Sequence, residues 1–178
     1  MQTKILYYVH GETFDTSSKR SSGWKNVKLN ELGIKQAKCL REQAGNPTFD
    51  VLITSDLVRA VNSADLAWPE LDKIQDNRLR ECNYGDYNGE TEDKVIYEEH
   101  IDHPFPNGES LKDVEKRIAD FIQDIKKEYA GKTIAILAHR APQLAFEVLT
   151  KSIAWEEAIT NDWRKRKTWQ PGWEYFIK

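Results

Sequence analysis

Ile5-Leu6-Tyr7-Tyr8-Val9, followed at once by His10-Gly11, is the stretch that decides how this chain is read. A short run of β-branched and aromatic residues halted by a turn residue has the pattern of a buried strand. Val51 to Thr54 repeats that pattern and runs into Ser55-Asp56, and Thr133 to Ala138 repeats it again and runs into His139. The last run is continuously apolar, as expected of a central strand covered on both faces.

Helical patterns lie between these strands. Asn30 can cap a helix with Leu32, Ala37 and Leu40 on one face, stopped at Gly45-Asn46-Pro47. Leu57 to Ala67 reads as a second helix, ended by Trp68-Pro69. Ser110 opens the strongest one. Ser110 and Asp113 form an approximate capping box, Leu111, Val114, Ile118, Phe121, Ile122, Ile125 and Tyr129 keep helical spacing, and Gly131 ends it. A further helix is expected from about Pro142 to Thr150, a short strand over Lys73 to Gln75 and a last strand over Trp173 to Ile177. Residues 12–28 read as a long polar loop, and 78–108 resist assignment apart from helical character over Glu92 to His100.

This alternation predicts an α/β fold, a three-layer sandwich with a mostly parallel central sheet, in a single domain spanning 1–178. Ligands of such sheets bind beyond the carboxyl ends of the strands. His10, the Ser55 to Arg59 segment and His139 each follow a strand. Two histidines and an arginine are therefore expected at one edge of the sheet.

Composition narrows the function classes. Lys+Arg 26 against Asp+Glu 29 gives a net charge of -3, which argues against a general nucleic-acid binder or a membrane-surface protein. No apolar run is long enough to span a membrane, and the N-terminal apolar run is too short for a signal peptide. The expected location is cytoplasmic. Two cysteines make neither a metal-ligand repeat nor a disulfide framework, Cys39 reading as a small apolar residue and Cys82 as buried. His100 and His103 flank Asp102 without a third close ligand, so no metal site is expected. Arg164-Lys165-Arg166-Lys167 reads as a solvated face able to help attract an anion, and Trp163, Trp169 and Trp173 as packing residues.

A neutral imidazole is a nucleophile toward phosphorus, and phosphoryl transfer otherwise asks for positioning and positive charge around the equatorial oxygens. A carboxylic acid then protonates the leaving oxygen. His10, His139, Arg59 and a carboxylate within Arg78-Leu79-Arg80-Glu81 make such a set. Val9-His10-Gly11-Glu12-Thr13 resembles the Arg-His-Gly-Glu-Thr signature of the histidine phosphatase superfamily, also called phosphoglycerate mutase-like. Five more segments resemble the family's motifs in the right order: Leu29 to Ala37, Thr54 to Ala60, Leu79 to Gly89, Pro106 to Ser110 and Ala138-His139.

The resemblance implies roles and a phosphoglycerate mutase-like fold. His10 would be the nucleophile, Arg59 and His139 would bind the transferring group, and Glu81 would be the acid–base residue. Gly11 would let the backbone approach the phosphate, Thr13 would add a hydroxyl, and no metal or organic cofactor is implied. The partner would be a small phosphorylated substrate; oligomeric state is open. The short chain favours a phosphomonoesterase over a mutase. Departures from the pattern point the other way, toward a degenerate member that binds a phosphorylated ligand or a protein without turnover. Val9 stands where the family has a phosphate-binding arginine, Arg140 and Ala141 replace glycines, Thr16 replaces an asparagine, and Asn26 and Lys28 replace Asp and Pro. Arg140, next to His139, is the visible candidate to replace the lost charge as a phosphate ligand; otherwise it points to solvent.

Overall fold

Side chains alternate across a strand, and in the first strand both faces are apolar: Leu6 and Tyr8 on one side, Ile5 and Tyr7 on the other. Such a strand needs cover on both faces, and the computed structural model, which describes residues 2–166 and 170–177, supplies it. The chain runs β1 (Thr3–Val9), α1 (Phe14–Ser17), β2 (Arg20–Ser21), α2 (Glu31–Gln43), β3 (Val51–Thr54), α3 (Val58–Ala67) and β4 (Lys73–Gln75). It continues through β5 (Glu90–Thr91), α4 (Leu111–Glu128), β6 (Thr133–Ala138), α5 (Arg140–Lys151), α6 (Trp155–Thr160), α7 (Trp163–Arg166) and β7 (Trp173–Ile177).

The main sheet has the order β4-β3-β6-β1-β7, with β4, β3, β6 and β1 parallel and β7 antiparallel at the edge. Leu6, Tyr8, Leu52, Ala135 and Leu137 pack with Leu40 of α2 and Ala60 and Ala64 of α3. Ile5, Tyr7, Ile53, Ile134 and Ile136 pack on the opposite side with α4, α5 and α6. The result is the expected α/β sandwich of three layers around a mostly parallel sheet, with β6 at its centre. Ser110 caps α4 through a full capping box with Asp113, and Asn30 caps α2 by accepting from Gly33 N at 2.8 Å.

Several expectations need correction. The segment 12–28 is not all loop: it contains α1 and β2, and β2 pairs with β5, stitching this segment to 86–108. Elements of four and two residues are too short to show periodicity. Glu92 to His100 forms two 3₁₀ turns, Glu92–Lys94 and Tyr97–His100. Leu32 is 50% exposed because α2 buries Gly33, Ala37 and Leu40 instead. Cys39 is exposed, Cys82 buried. Of the three tryptophans read as packing residues, Trp163 and Trp173 pack together with ring centroids 6.4 Å apart, and Trp169 lies outside the described residues. Among the described residues no helix is long and apolar enough to cross a membrane, and no group of three metal-ligating side chains exists. His100 instead stacks on Phe105 at 3.7 Å.

Candidate active site

The register of the parallel strands places the site. Val9 is level with Ala138 and Thr54 with Leu137, so His10, Ser55 and His139 leave the sheet together at its carboxyl edge. His10 N still donates to Ala138 O at 3.2 Å, extending the ladder by one bond. A cleft of about 700 Å³ opens there, walled by Val9, His10, Arg59, Glu81, Arg140 and Arg164 among others.

His10 has a defined tautomer. Its Nδ1 lies 2.8 Å from the Gly11 carbonyl, which can only accept, so Nδ1 carries the proton and Nε2 keeps its lone pair. Nε2 accepts from Arg59 Nε at 3.2 Å. Burial, with the Arg59 charge second, holds the His10 imidazole down at about 3, against the pull of the Gly11 carbonyl. The ring is neutral at pH 7.

His139 lies beside it, with ring centroids 5.0 Å apart at 57°. That is direct ring contact, within the usual range for aromatic pairs, and not an anion-wide gap between the two faces. A bound phosphoryl group must meet nitrogen edges. His139 is fully buried, and burial, then Arg59 and then His10, keeps its imidazole well below the usual histidine range. Its Nε2 is 2.6 Å from Ser55 Oγ, which also accepts from Leu57 N at 3.4 Å. The serine hydroxyl can donate to Nε2 or accept from it, and Nδ1 is buried with no hydrogen-bond partner among the described residues. Tyr7 Oη pins the backbone here, donating to His139 O at 2.9 Å and accepting from His139 N at 3.2 Å.

Arg59 is 2% exposed, and each of its three nitrogens donates a hydrogen bond. Its Nη1 donates to Lys25 O at 2.9 Å and Nη2 to Gly23 O at 2.8 Å, so its fork holds the loop over the cleft. Glu81 is equally committed. Oε1 accepts from Cys82 N and Ala141 N, both at 2.9 Å, and Oε2 from Arg140 N at 3.2 Å, which seats the carboxylate on the first turn of α5. Glu109 pairs with Arg117 at 2.9 Å, and Glu12 accepts from Asn30 Nδ2 at 2.7 Å. Burial pushes the Cys82 thiol up, so it is no thiolate nucleophile.

Three expected phosphate ligands each have a partner within the protein. Gly11 N donates to Ser63 Oγ at 3.1 Å. The glycine itself is required by packing, because a Cβ would lie 2.4 Å from Gly33 O. Thr13 Oγ1 caps α1 by accepting from Thr16 N at 3.1 Å and is fully buried. Arg140 neither runs into solvent nor meets the histidines: Nε donates to Asp162 Oδ2 at 2.6 Å, and the guanidinium stacks 4.4 Å over Tyr97. Sequence reading missed Ser63, Gly33, Asp162 and Asn26. Asn26, a departure from the motif, accepts from Val58 N at 3.1 Å and so caps the helix that carries Arg59.

Residues 7–164 match the family model described as histidine phosphatase superfamily (branch 1). The chain belongs to the histidine phosphatase superfamily. Superfamily relatives include both mutases and phosphatases. A 2,3-bisphosphoglycerate-dependent phosphoglycerate mutase of Methylorubrum populi is 32% identical, over 90% of this chain and 87% of its own. Phosphoserine phosphatase 1 of Hydrogenobacter thermophilus is 27% identical, over 80% and 73%. The solved structure of Bacillus stearothermophilus YhfR, 27% identical, matches with a TM-score of 0.76 over 88% of this chain and 83% of that one.

Proposed function

We propose that this histidine phosphatase superfamily member is a phosphomonoesterase that works through a phosphohistidine. The observation that carries the reading is the His10 tautomer. The Gly11 carbonyl holds the Nδ1 proton, so Nε2 keeps an unprotonated lone pair at neutral pH, which in this structure accepts from Arg59 Nε at 3.2 Å. Nε2 attacks phosphorus, the ester P–O bond breaks, and the departing oxygen takes a proton from Glu81. Water then attacks the phosphohistidine, gives its proton to Glu81, and the N–P bond breaks to release phosphate and restore His10. As phosphorus approaches, Arg59 Nε leaves His10 Nε2 and, with the Nδ1–H of a His139 whose Nε2 accepts from Ser55, meets the negative oxygens.

A cleft of about 700 Å³ suits a small phosphorylated substrate, and the names of both relatives, phosphoglycerate mutase and phosphoserine phosphatase, point the same way. We read the enzyme as one domain working in the cytosol. One observation favours a second reading, a member that binds phosphate without turnover. The Arg59 fork is held by Gly23 and Lys25, and Val9 adds no charge. Hydrolysis of an aryl phosphate by the purified protein, compared with His10→Ala, decides between them. The wild type releases phosphate and the variant falls to the buffer background. Equal rates in both remove the enzymatic reading; phosphate binding with no turnover in either supports the binder.

A further inference from the structure

The cleft holds a cationic pair that the proposed chemistry has not yet used. Asp162 is 3% exposed, and its two oxygens grip two arginines: Oδ2 accepts from Arg140 Nε at 2.6 Å, and Oδ1 from Arg164 Nη1 at 3.1 Å. Oδ1 also accepts from Arg164 N at 3.1 Å, which fixes where the side chain departs. The unit carries one net positive charge at the cleft wall.

The two arginines are not equivalent. The Arg140 guanidinium lies 4.4 Å over the Tyr97 ring and is held at Nε by the carboxylate. Arg164 is reached through a series of rings that starts on β1. Tyr7 meets Trp173 at 6.4 Å, Trp173 meets Trp163 at 6.4 Å, and the Arg164 guanidinium lies 4.7 Å over Trp163. Tyr7 and Val9 share a face of β1, since side chains repeat every second residue, and Val9 and Trp173 pack against the same core cluster. Arg164, Val9 and His10 line the same cleft. Its charge is felt at His10 and at Tyr7, which pins His139. Among the described residues its guanidinium hydrogen-bonds through Nη1 alone, to Asp162, so further N–H groups stay open to an anion. In Arg59, by contrast, each of the three nitrogens already donates one bond.

We propose that Arg164 supplies the second guanidinium of the phosphoryl site, binding non-bridging oxygens of the group on His10 from the side of β1 where Val9 presents only an apolar wall. It deepens, and rests on, the phosphohistidine reading. Asp162 positions it, and α7 is the element that delivers it. The charge comes from a segment distant in sequence from both strand ends, in a run that by composition is only a solvated basic stretch.

Calorimetric titration of the purified full chain with orthovanadate and with inorganic phosphate tests this without depending on turnover. Loss of one charge-assisted guanidinium contact to the transition-state mimic is expected to weaken orthovanadate binding about a hundredfold in Arg164→Ala. Arg164→Lys should fall between the two, keeping charge without the fork. Adding Val9→Arg to Arg164→Ala should restore most of the affinity, a gain that misfolding of the single variant cannot produce. If Arg164→Ala binds orthovanadate like the wild type while Arg59→Ala and His10→Ala lose it, the Arg164 assignment is wrong and the phosphohistidine reading stands. If none of the three substitutions changes binding, the reading falls and the assignment with it.

Discussion

At the scale of single residues, Glu81 shows the tension between being held and being used. A general acid has to give a proton, yet the two Glu81 oxygens already accept three backbone N–H groups. Protonated, the carboxyl group loses the charge that strengthens those three bonds. Glu81→Gln keeps the shape but turns an NH₂ toward N–H donors, so some loss of stability is expected and total activity is a poor readout. The ratio of rates on alkyl and aryl phosphates is insensitive to the folded fraction. Acid catalysis helps most where the leaving oxygen is basic, so the alkyl rate should drop more, by up to roughly 10²–10⁴-fold. Equal losses on both substrates would show that Glu81 only holds α5 in place.

The same scale shows which parts of the site the sequence makes legible. His10 and His139 are readable because each follows an apolar run whose end lies at the edge of a parallel sheet. Ser63, Asn26 and Asp162 are not, because their roles arise from partners 52, 32 and 22 positions away. A lone serine in a helix or an aspartate before a basic run carries no local signal. Thr13 and Gly11 sit where the motif puts them, but their polar groups are taken by Thr16 and Ser63.

At the scale of elements, long periodic stretches are readable and short ones are not. α4 repeats its apolar face over 18 residues, whereas α1, β2 and β5 have four, two and two. The case of α2 is more instructive, because its decisive residue has no side chain. Gly33 packs against the turn after β1, where an added Cβ would lie 1.9 Å from Glu12 O and 2.7 Å from Glu12 N. Helix propensity alone makes Gly33→Ala stabilising by about 1 kcal/mol. The backbone contact reverses the sign, with a net loss of roughly 1–3 kcal/mol as for other overpacked sites. That corresponds to a fall in Tm of several degrees at about 2–4 °C per kcal/mol. A higher Tm for Gly33→Ala would mean that α2 does not brace the His10 turn.

At the scale of the whole molecule, the histidine pair, His139 buried and His10 half-buried, ties folding to pH. His10 is held at about 3 and His139 is also lowered, while both titrate near 6.5 in the unfolded chain. As pH falls below 6.5, the unfolded chain takes up protons that the folded chain refuses, so stability drops progressively toward pH 3. Carboxylates held low, such as Asp162 and Asp56, add to the loss only in the more acidic part of that range. Thermal melts of the wild type and of His139→Gln between pH 7 and 5 separate the two contributions: the wild type should lose more Tm over that interval than the variant. Parallel curves would mean that His139 is not held neutral by burial.

The fold, the family and the place of the site all meet in one claim, that the Nε2 of His10 takes the phosphoryl group. Acid-free quenching of the protein during turnover of a small phosphate ester, followed by peptide mass spectrometry, measures it directly. The account predicts one phosphate on His10 in the wild type and none in His10→Ala. Phosphate on His139, or turnover with no phosphorylated histidine, would contradict it.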